Sequence, residues 1–169
     1  SLQHSLQHSL QHWLIKFPSS HDPDDIAAIE YAYSRMARDA GIDMAPTHLF
    51  STSAGNRYFG TKRFDRCGDQ RIHMHTACGL LNADFRIPSL DYKDLLAATL
   101  HLTGDQRQAE KMFALAVFNV LVHNRDDHSK NFSFLMDSEG AWTMAPAYDL
   151  TFSSGPGGEH STMMMGNGK

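Results

Sequence analysis

Residues 123–131 read HNRDDHSKN, an unbroken run of polar side chains in the second half of the chain. A nearly continuous apolar stretch precedes this run and predicts a helix from Asp105 to about His123 that is buried on every side. Two short apolar runs follow, Phe132–Met136 and Trp142–Ala145, and the turn residues 137–140 between them predict a hairpin. Polar groups between a core helix and a core hairpin are costly unless they are used, so residues 123–131 are the first candidate for a functional site.

A second acidic position follows the predicted hairpin, in the motif PAYDL at residues 146–150. Asp126, Asn131 and Asp149 together resemble the carboxylate and amide set of phosphoryl-transfer enzymes. Such enzymes hold Mg²⁺ with hard oxygen ligands, which Asn131 and Asp149 could supply. Asp126 would accept the proton of an attacking hydroxyl group, and Lys130 would neutralise charge that develops on the transferred group.

The remaining apolar patterns predict a small sheet followed by helices. Turn residues and alternation mark the strands, and helical spacing between an Asp-Pro pair and a glycine marks an amphipathic helix. The predicted strands are Trp13–Phe17, His48–Ser51 and Arg57–Asp65, and the predicted helices run from Asp22 to Gly41 and from Asp91 to Leu102. A sheet in the first half and helices in the second favour an α+β fold with two lobes.

Lys16 and Glu30 are the candidate functional residues of this N-terminal part. Lys16 lies on the first predicted strand, from which its ammonium group could reach nucleotide phosphates. Glu30 lies on the following helix and would orient Lys16 through an ion pair. The alternative for each is an ordinary solvated side chain, on an edge strand for Lys16 and on a helix surface for Glu30.

The composition indicates one globular unit of a cytoplasmic protein. The chain has 169 residues, of which 41% are hydrophobic and 20% charged, and its net charge of -4 gives no basic surface for nucleic acid. Cys67 and Cys78 are too few for a disulfide-stapled secreted scaffold, and no signal-peptide pattern opens the sequence. No apolar run approaches the roughly 20 residues that a membrane-spanning helix needs.

Four motifs, in their order and spacing, resemble the HipA kinase family: WLIKFP at 13–18, KRFDR at 62–66, DDHSKNF at 126–132 and APAYD at 145–149. The resemblance runs from about Trp13 to Lys169. It implies an α+β, two-lobed protein-kinase-like fold, with a small sheet-plus-helix N-lobe over about residues 13–66 and a mainly helical C-lobe over about residues 67–169. The first twelve residues are the unit SLQH repeated three times, which we interpret as a low-complexity tail.

The resemblance also assigns roles to individual residues. Asp126 takes the proton-acceptor position, and Asp127 stands where the family often has glycine. Lys62, Arg63 and Phe64 fit the hinge, whose backbone would hydrogen-bond adenine while Phe64 shields it. The residues implied to contact ATP or Mg²⁺ are Lys16, Lys62, Arg63, Phe64, His128, Ser129, Lys130, Asn131, Tyr148 and Asp149, with Asn131 and Asp149 as the metal ligands.

A function and partners follow from the same resemblance. It implies an ATP- and Mg²⁺-dependent serine/threonine protein kinase that arrests growth as the toxin of a toxin–antitoxin pair. Its substrate would be a protein hydroxyl group, which in the best-known members belongs to an aminoacyl-tRNA synthetase. Its partner would be a DNA-binding, HipB-like antitoxin, with no direct contact to nucleic acid.

Two departures from the family pattern keep other functions open. Family members carry a glycine-rich loop and a small subdomain ahead of the lysine strand, where this sequence has the SLQH repeat, and they continue with further helices beyond the tyrosine-aspartate motif. One alternative is therefore a catalytically degenerate kinase fold that binds an antitoxin without turnover. Another is a small-molecule phosphotransferase, because such enzymes share the same Asp, Asn and Asp set.

Overall fold

A computed structural model describes residues 11–20, 22–86 and 90–164, without the side chain of Pro156. The predicted tail therefore lies outside the described residues except for Gln11 and His12. His12 already belongs to the fold, because its backbone carbonyl accepts a hydrogen bond from Arg63 N at 2.8 Å and its Nε2 atom lies 3.0 Å from the Gly68 carbonyl.

The N-terminal part is a three-stranded antiparallel sheet with one helix. Its elements are β1 (Trp13–Lys16), α1 (Ile26–Asp39), β2 (Thr47–Ser51) and β3 (Arg57–Lys62), and the strand order is β1-β3-β2. The central strand β3 contains Gly60, where a Cβ atom would come within 2.5 Å of the Phe50 ring and 2.8 Å of Ile15. Glycine is required there so that the aromatic side chain of β2 can cross the face of the sheet.

Helix α1 begins later than the sequence predicts. Asp22 was expected to cap it, but the Asp22 carboxylate accepts a hydrogen bond from Ser19 N at 2.6 Å and so closes the preceding turn. The helix starts at Ile26 after Asp25, whose side chain makes no capping bond. The predicted end is confirmed, because Gly41 follows the last turn with a positive φ of 78°.

The second half of the described chain combines short strands with three helices. These elements are β4 (Arg66–Cys67), β5 (Gln70–Arg71), β6 (His73–Thr76), α2 (Ala77–Leu80), α3 (Tyr92–Thr103), α4 (Gln106–Leu121), β7 (Ser133–Met136) and β8 (Trp142–Met144). Strands β4 and β5 pair with each other, and β6, β7 and β8 form an antiparallel sheet in that order. The predicted helices at Asp91–Leu102 and Asp105–His123 and the predicted hairpin are confirmed to within one or two residues, with Asp91 and Asp105 as helix caps.

Helix α4 is not buried on every side, so that prediction is wrong. Its residues Met112, Leu115 and Phe118 are in the core, but Phe113, Val117 and Leu121 are 58%, 41% and 74% exposed. Within the described chain α4 packs against α3 and β8, which cover only one side of it. An apolar sequence shows that a helix face can be buried, and it does not show which neighbour buries it.

The main core lies directly beneath residues 123–132. Helices α3 and α4 supply Leu95, Met112 and Leu115. Phe132, just before β7, and Phe134 within it are both 1% exposed. The described residues thus form a mixed α and β fold with small sheets and four helices, while the division into two lobes stays a prediction. No helix among them is long and apolar enough to cross a membrane.

Candidate active site

A cleft of about 310 Å³ opens between the N-terminal sheet and the chain that follows β8. This volume is at the lower end of the range found for small-molecule sites. Its walls are mostly apolar, with charged groups at one end and at the rim. The lining residues are Leu14, Lys16, Met44, Phe59, Thr61, Lys62, Arg63, Phe64, Asp65, Met74, Tyr148 and Asp149.

Lys16 lies between two carboxylates at the charged end of the cleft. Its Nζ atom is 2.8 Å from Glu30 Oε2, so the predicted ion pair is present, and it also contacts Asp149 Oδ1. Burial alone would lower the pKa of Lys16, but the negative charges of Asp149 and Glu30 outweigh this effect and raise that pKa above its ordinary value.

Glu30 is the more buried partner of this ion pair. Its side chain is 10% exposed and that of Lys16 is 33% exposed. Burial raises the pKa of Glu30 even though the Lys16 cation opposes the shift. Two carboxylates contact the single Lys16 cation and favour its charged form. The ionised form of Glu30 therefore depends on the charge of Lys16 to offset the unfavourable free energy of burial.

Asp149 has a backbone conformation that is uncommon for a residue with a side chain. Its φ of 57° lies in the left-handed region, and such outliers cluster at functional sites. The preceding Tyr148 holds this turn against the loop, because its hydroxyl group donates to the Lys130 carbonyl at 2.5 Å and lies 2.6 Å from Ser133 Oγ. Burial raises the pKa of Tyr148 to about 12, so the hydroxyl keeps its proton and can donate.

The two adjacent aspartates of the loop have different surroundings. The side chain of Asp126 is 57% exposed, whereas that of Asp127 is 0% exposed and fully hydrogen-bonded within the protein. Partial burial of its carboxyl group raises the pKa of Asp126 even though His128 opposes the shift, and the negative charges of Asp149 and Asp127 add to it. Of these two aspartates only Asp126 is accessible to solvent, and its role as the base stays a prediction.

Asn131 is oriented by a contact to the same loop. Residues Ser129–Asn131 form a single 3₁₀ turn, and Asn131 Nδ2 donates to the Asp126 carbonyl at 2.8 Å. This bond commits the amide nitrogen and leaves the side-chain oxygen of Asn131 for a ligand. Two neighbouring buried atoms, His128 Nδ1 and Ser129 Oγ, have no hydrogen-bond partner among the described residues.

Lys130 points to an aromatic ring that the sequence analysis missed. Its Nζ atom lies 3.2 Å from the centre of the Phe85 ring, a cation–π contact. The same ring contacts His128 edge-on, with 5.8 Å between the ring centres. Phe85 stands in a weakly patterned segment, so no sequence signal marks it.

The predicted hinge residues Lys62, Arg63 and Phe64 line the cleft. The backbone N–H groups of Lys62 and Arg63 donate to the Pro46 and His12 carbonyls, both at 2.8 Å, so these two donors are committed within the fold. Phe64 packs against Tyr148 with 5.7 Å between the ring centres, and both residues line the cleft. The predicted adenine contacts of this segment stay a prediction.

Asp65 shapes the hinge and was not among the predicted site residues. It accepts hydrogen bonds from Arg63 Nε and Nη2 at 2.8 and 2.6 Å and from Arg66 Nη1 at 2.5 Å. The hydrogen bonds from Arg63 hold the pKa of Asp65 below its ordinary value. The acid between two arginines in the KRFDR motif was the signal that could have identified it.

Comparisons with known proteins agree with the motif resemblance. Residues 2–169 match the model of the HipA-like C-terminal domain family. The candidate kinases Y4mE and Y4dM of Sinorhizobium fredii are 32% and 23% identical over 69% and 82% of this chain. The chain spans 30% and 36% of the length of these two relatives.

Two solved structures resemble the fold. The HipA toxin of Shewanella oneidensis, solved in a complex with HipB and its operator DNA, matches with a TM-score of 0.74 and 21% identity over 89% of this chain and 40% of its own. The proinflammatory kinase CtkA of Helicobacter pylori matches with a TM-score of 0.58 and 20% identity, over 81% of this chain and 50% of its own.

Proposed function

The chain belongs to the HipA-like C-terminal domain family, and from this premise we propose that it carries the nucleotide-binding and phosphoryl-transfer site of a serine/threonine protein kinase. One observation carries the proposal. Lys16 and Asp149, 133 positions apart in the sequence, form an ion pair at the cleft, and the charges of both act on the carboxyl group of Asp126, whose backbone carbonyl orients Asn131.

The cleft suits a nucleotide. Leu14, Met44 and Met74 offer apolar walls to a flat base, and Phe64 lies on Tyr148 at the rim. Lys16 stands at the opposite, charged end, where its ammonium group would bind phosphate oxygens. We therefore place the base against these apolar residues and the phosphates beside Lys16.

The residues present also fit Mg²⁺. No group of three or more His, Cys, Asp or Glu side chains among the described residues is arranged to hold a metal ion, but protein Mg²⁺ sites usually need only one or two oxygen ligands beside phosphates and water. Asp149 and Asn131 would be these ligands. When bound, Mg²⁺ neutralises charge on the phosphate groups.

Asp126 would perform the proton transfer. Its exposed carboxylate would accept the proton of a serine or threonine hydroxyl as that oxygen forms a bond to the γ-phosphorus of ATP. The bond between the γ-phosphorus and the bridging oxygen breaks, and ADP leaves with that oxygen. Lys16 would hold the phosphates in line, and Lys130 would have to leave the Phe85 ring to reach the transferred group.

The family also suggests a regulated toxin. The Shewanella HipA match comes from a complex with HipB and operator DNA, and this supports a DNA-binding, HipB-like partner for this protein. The acceptor would be a hydroxyl group on a protein, with an aminoacyl-tRNA synthetase as the first candidate. The net charge of -4 favours contact with nucleic acid through that partner.

Transfer of labelled γ-phosphate from ATP to a protein acceptor tests the proposal. We expect labelling that requires Mg²⁺ and is lost in Asp126→Asn. ATP consumption that depends on a small hydroxyl compound and never labels protein would favour a small-molecule phosphotransferase. Binding of a HipB-like partner without any binding of Mg·ATP would favour a degenerate binding module.

A further inference from the structure

Asp127 is a buried carboxylate in the middle of the candidate active-site loop. Its side chain is 0% exposed, which is rare for an acidic residue unless it is fully paired. Two backbone N–H groups contact Oδ1 and two side chains contact Oδ2: Ser161 N at 2.9 Å, Thr162 N at 3.2 Å, the Tyr92 hydroxyl at 2.6 Å and His160 Nδ1 at 2.9 Å.

The buried contacts continue into the two long helices. Asn119 Nδ2 on α4 donates to the Tyr92 hydroxyl on α3 at 3.0 Å, and Asn124 Nδ2 donates to Asn119 Oδ1 at 3.0 Å. Asn119 and Asn124 are 2% and 1% exposed. A continuous polar chain thus joins His160 to the first residues of the loop through the core.

The segment His160–Thr162, which we call the clamp segment, also binds the backbone on both sides of Asp126. Ser161 N and Ser161 Oγ donate to the Arg125 carbonyl at 3.2 and 3.0 Å, and Thr162 Oγ1 donates to the Asp127 carbonyl at 2.5 Å. The Asp126 carbonyl accepts the Asn131 amide. Three consecutive carbonyl groups around the proposed base are therefore fixed by hydrogen bonds.

A buried carboxylate can impose order that a glycine at the same position cannot. An unpaired charge in the interior is strongly unfavourable, so the loop and the clamp segment are held in the one arrangement that supplies all four donors. The clamp segment is in turn fixed to the start of α3, because Tyr92 N donates to the Met163 carbonyl and Met163 N donates to the Leu90 carbonyl, both at 2.9 Å.

We propose that Asp127 is a positioning residue that holds the loop on the clamp segment, so that the adjacent Asp126 presents its carboxylate to the acceptor hydroxyl. The inference rests on the proposed phosphoryl transfer for its catalytic consequence. It makes His160, 33 positions beyond Asp127, a second positioning residue that touches neither nucleotide nor acceptor.

The test uses variants that remove one donor each. Tyr92→Phe deletes the hydroxyl group, and His160→Leu deletes the ring donor, while His160→Asn keeps an N–H donor near the position of Nδ1. Thr99→Val is the matched control, because Thr99 lies on the same helix as Tyr92, is 0% exposed and donates only to the Leu95 carbonyl within α3. Amide hydrogen exchange of residues 124–131 and steady-state kinetics are measured for each.

We expect Tyr92→Phe and His160→Leu to speed exchange of the loop amides by about tenfold or more, since a buried charge has lost a donor. They should lower kcat by a similar factor with little change in the KM for ATP, and His160→Asn should restore both values. Thr99→Val should reduce global stability and leave loop exchange and kcat unchanged.

Three results would overturn the proposal: loop exchange no faster than in Thr99→Val, no recovery in His160→Asn, or fast loop exchange with an unchanged kcat. The exchange measurement requires no activity. If the unsubstituted protein transfers no phosphate, the proposed function fails, and the exchange data still decide whether Asp127 and His160 order the loop.

Discussion

Lys16 and Asp149 lie 133 positions apart in the sequence and form an ion pair across the candidate active site. The contact joins the last residue of β1 to the left-handed turn after β8. Because the same ammonium group also contacts Glu30, one cation holds together two carboxylates that would otherwise repel each other. The proposed metal ligand is thereby held beside the proposed phosphate-binding lysine.

Replacing Lys16 with methionine should destabilise the protein at neutral pH by about 1–3 kcal/mol, because buried Glu30 loses its partner. The pKa of Glu30 is already raised by burial, and the substitution should raise it further. A carboxyl group whose pKa is higher in the folded than in the unfolded state stabilises the fold at pH values below the unfolded-state pKa of about 4.3. This stabilisation is lost as pH rises through the folded-state pKa. Denaturant melts of Lys16→Met should therefore show a deficit that shrinks on acidification.

The double variant Lys16→Met with Glu30→Gln is the matched control for this effect. It removes both charges, so most of the lost stability at neutral pH should return. If the double variant were as unstable as Lys16→Met alone, the deficit would arise from lost packing and the account of the pair would be wrong.

Asp126→Asn should lower phosphate transfer by about a hundredfold or more, since the proton acceptor is removed. Binding of Mg·ATP and the midpoint of thermal unfolding should change little, because the Asp126 side chain is 57% exposed. Single-turnover transfer and calorimetric titration would measure the two effects separately. Retained transfer would rule out Asp126 as the base.

The pH dependence of transfer should reflect the surroundings of Asp126. Partial burial and nearby negative charges raise the pKa of this carboxyl group above its ordinary value near 3.8, although His128 opposes the shift. The base form is therefore lost at a higher pH than for an ordinary aspartate, and kcat/KM should fall on the acidic side through that raised pKa. Mg·ATP affinity measured over the same pH range serves as the control, and an acidic limb at or below the ordinary value would contradict this prediction.

Asp65→Asn should weaken Mg·ATP binding by loosening Arg63 at the hinge. It should also cost up to about 1 kcal/mol of stability at neutral pH, because the Arg63 side chain is 38% exposed and the pair is screened. The hydrogen bonds from Arg63 lower the pKa of Asp65 in the folded state. Asp65 therefore stabilises the fold at pH values above its unfolded-state pKa near 3.9, and this stabilisation disappears as pH falls through the lowered folded-state pKa.

Asp105→Asn is a suitable control for the hinge variant. Like Asp65, Asp105 pairs with a nearby arginine, which is Arg107 in the first turn of α4. Asparagine at position 105 preserves the helix cap. Calorimetric titration with Mg·ATP should show weaker binding for Asp65→Asn and none of this effect for Asp105→Asn. Equal affinities in the two variants would remove Asp65 from the site.

Motif spacing assigned Lys16 and Asp149 to one site, and the structure places both residues at the cleft. Lys16 on a strand, Asp126 and Asn131 in one loop and Asp149 after a hairpin are local patterns, and the order of the elements fixed their approximate arrangement. The family model and the HipA and CtkA structures support this assignment of the fold. The chemical roles of these residues stay predictions.

Properties that depend on competing local hydrogen bonds or on tertiary contacts could not be predicted. Asp22 satisfies a turn where a helix cap was expected, because two local hydrogen-bonding arrangements compete for one carboxylate. The outer face of α4 is exposed because its burial depends on neighbouring segments. The partners of Asp127 come from segments 33 and 35 positions away, and only Asn119 within an apolar helix hinted at a buried polar network.

Binding of Mg·ATP, compared between the unsubstituted protein and Asp149→Asn, tests the central claim most directly. A ligand that binds only the folded state must raise its stability, so calorimetry and thermal shift report the same event. The account predicts saturable, Mg²⁺-dependent binding that stabilises the protein and is lost in Asp149→Asn. Absence of binding, or equal binding by the Asp149→Asn variant, would contradict it.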